Sequence, residues 1–304
     1  MRETSGTRTG SLAILALAVS TLLAVPSRSA TPDTSAWKCE NCPFANGHVA
    51  EATVGSSYVS DDAATFGDAS GYDAKGAYLQ VDGHGLQATA THRLGWRVED
   101  LGLDSRVVEI DGARTGTFDY RMSYRQLPRH RFDTTRTIFT HTSGNLLALP
   151  PAWTVAGTTA GLADLAASLV PQDVESERQT LALGAGYRPT SRFRLFADFE
   201  RQENDGTNVQ GAPYFTHSSL LLRHFDYRTD QVDAGIRYDA DRGYLKLAYY
   251  GSFFDNGFDA IRWQSPFTTA PGAEQSALAE APDNDFQQLV LTGSYRAALF
   301  DTQI

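Results

Sequence analysis

Between Thr117 and Arg125 the side chains alternate without a break: Phe118, Tyr120, Met122 and Tyr124 fall on one face, and Thr117, Asp119, Arg121, Ser123 and Arg125 on the other. Only an extended strand has a period of two, so this stretch predicts a ribbon with one apolar and one charged surface. The pattern returns in Leu181, Leu183, Ala185 and Tyr187, opposite Thr180, Ala182, Gly184 and Gly186. It returns again in Phe193, Leu195, Ala197 and Phe199, opposite Arg192, Arg194, Asp198 and Glu200, with Phe196 as the exception. Val232, Ala234, Ile236 and Tyr238 then oppose Asp233, Gly235, Arg237 and Asp239. Less regular strands are expected around Val49 to Val59, Tyr78 to Asp82, Ala88 to Val98, Arg106 to Asp111, Leu245 to Phe253 and Phe286 to Tyr295.

The connections have two lengths. Arg188 to Ser191 and Ala240 to Gly243 read as tight turns, whereas Leu127 to Glu177, Glu203 to Asp226 and Asp255 to Asn284 read as long polar loops. Leu162, Leu165, Ala166, Leu169 and Val170 recur at helical spacing in the first of these, which predicts a short helix capping that loop. Short turns on one side and long loops on the other are the layout of outer-membrane barrels. A soluble β-sandwich also alternates. Four charges on one strand, at Arg192, Arg194, Asp198 and Glu200, suit a water-filled lumen better than the solvent face of a sandwich. The expected fold is therefore all-β: a transmembrane antiparallel up-and-down β-barrel, here an incomplete one of about ten strands.

Composition agrees where it bears on the question. The chain holds 16 Phe, 13 Tyr, 4 Trp and 26 Gly against 2 Met, a balance that suits strands and turns over helix bundles. A net charge of −10 argues against a nucleic-acid partner, which needs a basic face. Arg2 and Arg8 followed by the apolar run Leu12 to Val25 and the small residues of Ser27-Arg28-Ser29-Ala30 predict a signal peptide over residues 1–29. That run is shorter than the ~20 residues a spanning helix needs. The expected organisation is a signal peptide at 1–29, a periplasmic tail at 30–47 and the barrel at 48–304.

The tail carries the two cysteines of the chain, Cys39 and Cys42. Haem attachment would need His after the second cysteine, and Pro43 stands there. A zinc site would need two further ligands, of which only His48 is near, and a thioredoxin-like site needs a βαβ setting. What remains is a dithiol or disulfide pair, either a passive staple or a redox-active one. The seven histidines are scattered, and no phosphate loop or nucleophile elbow is present. Neither a catalytic site, nor a resident cofactor, nor a metal site is expected.

Several motifs together resemble the MtrB/PioB family of decahaem-associated outer-membrane proteins. They are the segment Trp37-x-Cys39-x-x-Cys42-Pro43, the run Asp226-Tyr227-Arg228-Thr229-Asp230 and the run Gly251-Ser252-Phe253-Phe254-Asp255-Asn256. Trp263-Gln264-Ser265-Pro266-Phe267, Ala281-Pro282-Asp283-Asn284 and Gly293-Ser294-Tyr295 extend the resemblance, which is strongest over residues 36–48 and 178–297. The resemblance implies an outer-membrane barrel that sheathes a periplasmic multihaem c-type cytochrome, binds no haem itself, and serves extracellular electron transfer. Its partners would be that cytochrome, the lipid bilayer and, at the long loops, an extracellular multihaem cytochrome. Of the family's functional positions only Cys39 and Cys42 carry over. The alternative is a porin or solute channel. Family barrels have well over twenty strands, so with about ten this chain is expected to be a partial wall, with edges near its first strand and near Gln287 to Tyr295.

Overall fold

The computed structural model describes residues 46–142, 145–214, 217–297 and 302–303. The signal peptide expected at 1–29 and nearly all of the tail, with Cys39 and Cys42, lie outside the described residues.

Ten strands run antiparallel in chain order: β1 Gly47–Val59, β2 Gly76–Ala88, β3 His92–Leu101, β4 Val107–Arg114, β5 Phe118–Phe132, β6 Val174–Thr190, β7 Phe193–Tyr214, β8 His217–Ala240, β9 Gly243–Asn256 and β10 Asn284–Ala297. Each pairs with the next, and Thr302–Gln303 adds two residues to the outer side of β10. This is an up-and-down sheet. Among the described residues β1 does not pair with β10, so the sheet stays open, with its edges where the strand count placed them.

Residues 89–91, 115–117, 191–192 and 241–242 turn the chain at one end, the short-turn end. At the other end lie the stretches 60–75, 102–106, 133–173 and 257–283. Gly47 pairs with Ala88, so β1 starts at the short-turn end. Small local devices keep the strands close. Trp96 lies flat over β2, and a Cβ on Gly85 would meet its indole nitrogen at 2.4 Å. Only glycine leaves room for the ring.

One expected loop is a pair of strands instead. Glu203 to Asp226 belongs to a single hairpin in which all of β7, 22 residues, pairs with β8 through a link at 215–216. The sequence hides it because polar residues stand on both faces there, so no apolar period marks the strand. In the other two long stretches, β5 runs on to Phe132 and β6 starts at Val174, which shortens the first loop. The helical pattern in that loop condenses to one turn, Leu165–Ser168, beside a 3₁₀ turn at Thr159–Gly161.

The two remaining long loops meet over the projecting hairpin. Short strands Thr140–Thr142, Leu146–Ala148, Ala260–Gln264 and Gln275–Ala279 form a four-stranded sheet. Beneath it lies a hydrophobic core of Ile138, Phe139, Leu147, Ala212, Leu221, Ile261 and Trp263, in which Leu221 and Ile261 are wholly buried. Gln264 Oε1 accepts the Leu149 amide at 2.7 Å, and the Trp153 indole donates to the Pro266 carbonyl at 3.1 Å. Arg223 on β8 clamps the second loop through Glu280, whose side chain is only 6% exposed.

Candidate functional site

Register fixes what each face of the sheet presents, because directly paired residues project the same way. Phe118, Tyr187, Leu195, Ile236, Leu247 and Leu291 form one row across six strands. Two rows further on, Ile110, Met122, Leu183, Phe199 and Val232 are paired in turn. Most of these large apolar side chains are exposed, Phe118 at 37%, Leu195 at 41% and Leu291 at 68%. A contiguous exposed apolar face of this size requires an apolar surrounding. Phe118, Tyr120, Phe193, Leu195, Phe199, Val232 and Ile236, expected on one apolar surface, do share that face. At its short-turn margin Phe193 and Tyr238 pack with tilted rings, their centroids 4.9 Å apart.

Towards the loops the same face turns polar abruptly. Arg201 holds Asp230 through two hydrogen bonds of 2.7 and 2.8 Å, and Arg228 reaches Asp255 at 2.6 Å. One step beyond, Glu177, Asp205 and Asp226 stand directly opposite one another on β6, β7 and β8. This triad lies outside the apolar band. Partial burial pushes the Asp205 carboxyl above its usual range, and the nearby charges of Glu177 and Asp226 add to the shift.

The opposite face is charged and largely self-neutralised. Arg93 pairs with Asp111, Arg97 with Glu109 and Glu99, and Arg121 with Asp198 at 2.6 Å. Gly184 makes that last pair possible, since a Cβ there would meet Asp198 Oδ1 at 2.5 Å and Arg121 Nε at 2.7 Å. Arg125 reaches Glu109 at 3.7 Å, and Arg194 reaches Asp119 at 3.8 Å. Thus Arg121, Arg125 and Arg194, expected to line a lumen, project from the charged face, and Arg192 pairs with Asp241 across the turns. Phe196, the exception in its strand, also belongs to this face, with the Lys246 ammonium 4.7 Å above its ring. Sequence reasoning could not foresee one grouping. Arg194, Arg237 and Lys246 are direct cross-strand partners, although 43 residues part the first two in the chain.

Among the described residues no group of three or more His, Cys, Asp or Glu is disposed to hold a metal ion. The arrangement is a wall with two chemically opposite faces.

Comparison with known proteins agrees with that geometry. The family model described as "Putative outer membrane beta-barrel porin, MtrB/PioB" matches residues 58–302. The outer membrane protein MtrB of Shewanella baltica (strain OS185) is 28% identical over 268 residues, covering 86% of this chain. The chain spans 38% of the length of that relative. Among solved structures the CymD monoaromatic hydrocarbon channel aligns over 83% of this chain and 72% of its own, at 12% identity. Its TM-score of 0.26 is too low to carry an argument. The family match over most of the chain decides the matter: this is an outer-membrane β-barrel protein and belongs to the MtrB/PioB family.

Proposed function

We propose that the chain forms part of the wall of a barrel that sheathes a periplasmic multihaem c-type cytochrome, giving electrons a path across the outer membrane. The observation that carries this reading is the inner face. Its charges are matched to one another across strands, as in Arg121–Asp198 and Arg97–Glu109, and β6 lines it with Thr180, Ala182, Gly184 and Gly186. Away from the short-turn mouth such a wall is polar and largely charge-matched, and suits the close approach of a folded protein. The resemblance of the motifs to decahaem-associated proteins points the same way. In this reading the barrel contributes insulation and placement rather than catalysis. The long-loop cap faces the cell exterior and offers a surface to an extracellular multihaem cytochrome, whereas the short turns face the periplasm.

The leader over residues 1–29 would be removed, leaving Cys39 and Cys42 on a periplasmic tail as a redox-competent pair. The start of β1 at the short-turn end supports that side for the tail.

The test is isolation of the full-length protein from its native membrane. Haem absorbance at fixed stoichiometry to the barrel is expected, together with electron transfer across vesicles that requires both components. A haem-free protein that instead passes small solutes into liposomes would replace this reading with a solute channel.

A further inference from the structure

Three cations stand side by side at the short-turn mouth of the charged face. Arg194 on β7 pairs directly with Arg237 on β8, which pairs directly with Lys246 on β9, and all three project the same way. Like charges placed directly opposite one another oppose strand pairing. Their internal compensation is incomplete. Asp119 lies 3.8 Å from Arg194 but is shared with Arg188, 3.1 Å away. Arg237 holds Asp239 at 2.7 Å and stacks 4.4 Å above Tyr244. Lys246 has the Phe196 ring and no carboxylate partner among the described residues. Arg192 takes up Asp241 at 3.3 Å, and the adjacent Arg242 in the same turn is exposed, with no ion pair among the described residues. Among the described residues the six cations named here thus share three carboxylates, in a chain whose net charge is −10. Further along the same face Arg93, Arg97 and Arg121 meet Asp111, Glu109 and Asp198.

We propose that the Arg194–Arg237–Lys246 row is a docking seat for a cluster of carboxylates on the protein held in the lumen, fixing its depth and orientation at the periplasmic mouth. This rests on the sheath reading above. Anionic phospholipid is the other source of negative charge near the mouth, and the geometry disfavours it. Leu195, Ile236 and Leu247, in the adjacent positions of the same strands, form the opposite, apolar face, so the row points away from lipid. Three cations that repel one another in the free wall gain most when an anionic surface arrives, and the attraction weakens with salt.

The experiment uses the tagged full-length protein in its native host, comparing wild type with the triple variant Arg194→Gln, Arg237→Gln, Lys246→Gln. Heat-modifiable mobility reports barrel folding, and haem absorbance per barrel reports the bound partner. The variant barrel is expected to fold at least as stably as wild type, since repulsion is relieved, yet to retain at least tenfold less haem protein in moderate salt. Poly-L-glutamate should displace the partner from wild type, and poly-L-lysine should not. Equal haem retention by the two proteins at every salt concentration would overturn the proposal and leave the sheath reading standing. Loss of co-purified anionic phospholipid with unchanged haem would make the row a membrane contact and overturn it too. A wild-type barrel that carries no haem protein would overturn both readings.

Discussion

Placing an arginine at Leu195 separates the two faces of the wall energetically. Leu195 sits near the middle of the apolar stretch Phe193 to Phe199 of β7, flanked in register by Tyr187 and Ile236, and is 41% exposed. Seven residues at ~3.3 Å each span ~20 Å along the strand, so Leu195 lies only ~3 Å along the chain from the centre of the stretch. A guanidinium on the lipid face costs about 2–4 kcal/mol at the midplane and about 0–1 near the interfaces. Leu195→Arg should therefore cost most of the full penalty, about 2–4 kcal/mol. Gln231→Arg is the control. Gln231 pairs with Glu200 on the charged face, so the new cation gains a carboxylate neighbour and should change stability by no more than about 0.5 kcal/mol. Reversible denaturant unfolding of the full-length protein from lipid vesicles, followed by tryptophan fluorescence, gives both values. Equal costs at the two sites would refute the assignment of faces and, with it, the orientation of every strand in register with β7.

In the loop cap, Ile261→Ala should open a cavity costing about 2–5 kcal/mol, because the side chain is fully buried. Limited proteolysis should then cut within 133–173 and 257–283 while the long strands stay protected; an intact cap would show that its core does not hold it together. Asp205 is protonated more readily in the fold than in the unfolded chain, so its contribution to stability is greatest in acid and is lost as pH rises through the carboxylate range. Asp205→Asn should accordingly raise stability at neutral pH, a gain that disappears in acid; a loss at neutral pH would contradict the repulsion argued for its triad. Replacing Cys42 with Ala should leave barrel stability unchanged and reduce maturation or electron flux; wild-type flux would reduce the pair to a dispensable staple.

The alternation in Phe118 to Arg125 and Phe193 to Glu200 made both faces readable, because lipid and an aqueous interior impose opposite demands on neighbouring residues. Where both faces are polar that contrast vanishes, and so the outer half of the β7–β8 hairpin resembled a loop. The helical spacing at Leu162 to Val170 was real but local, and closed as a single turn, Leu165–Ser168. The ends of the open sheet followed from counting strands. The cation row was invisible for a different reason: only register brings Arg237 beside Arg194, and register comes from the turns at 191–192 and 241–242 rather than from spacing. Cys39 and Cys42 rest on their spacing and on the motif resemblance, since they fall outside the described residues.

The cap has a consequence for the order of events in folding. The β7–β8 hairpin joins neighbours in sequence through a two-residue link and can zip from its tip. Cap contacts are of another kind: Leu149 and Gln264 are 115 residues apart, and Trp153 and Pro266 are 113 apart. Contacts between such distant segments form slowly, because the chain must first close a large loop. With the long loops outside, as proposed above, both segments must also cross the membrane beforehand, each carried by its own pair of strands. The cap can thus assemble only after β5, β6, β9 and β10 have delivered their loops to the far side. Its closure becomes a timestamp for insertion, and protection of Ile261 and Trp263 from solvent should be among the last signals to appear as the barrel matures.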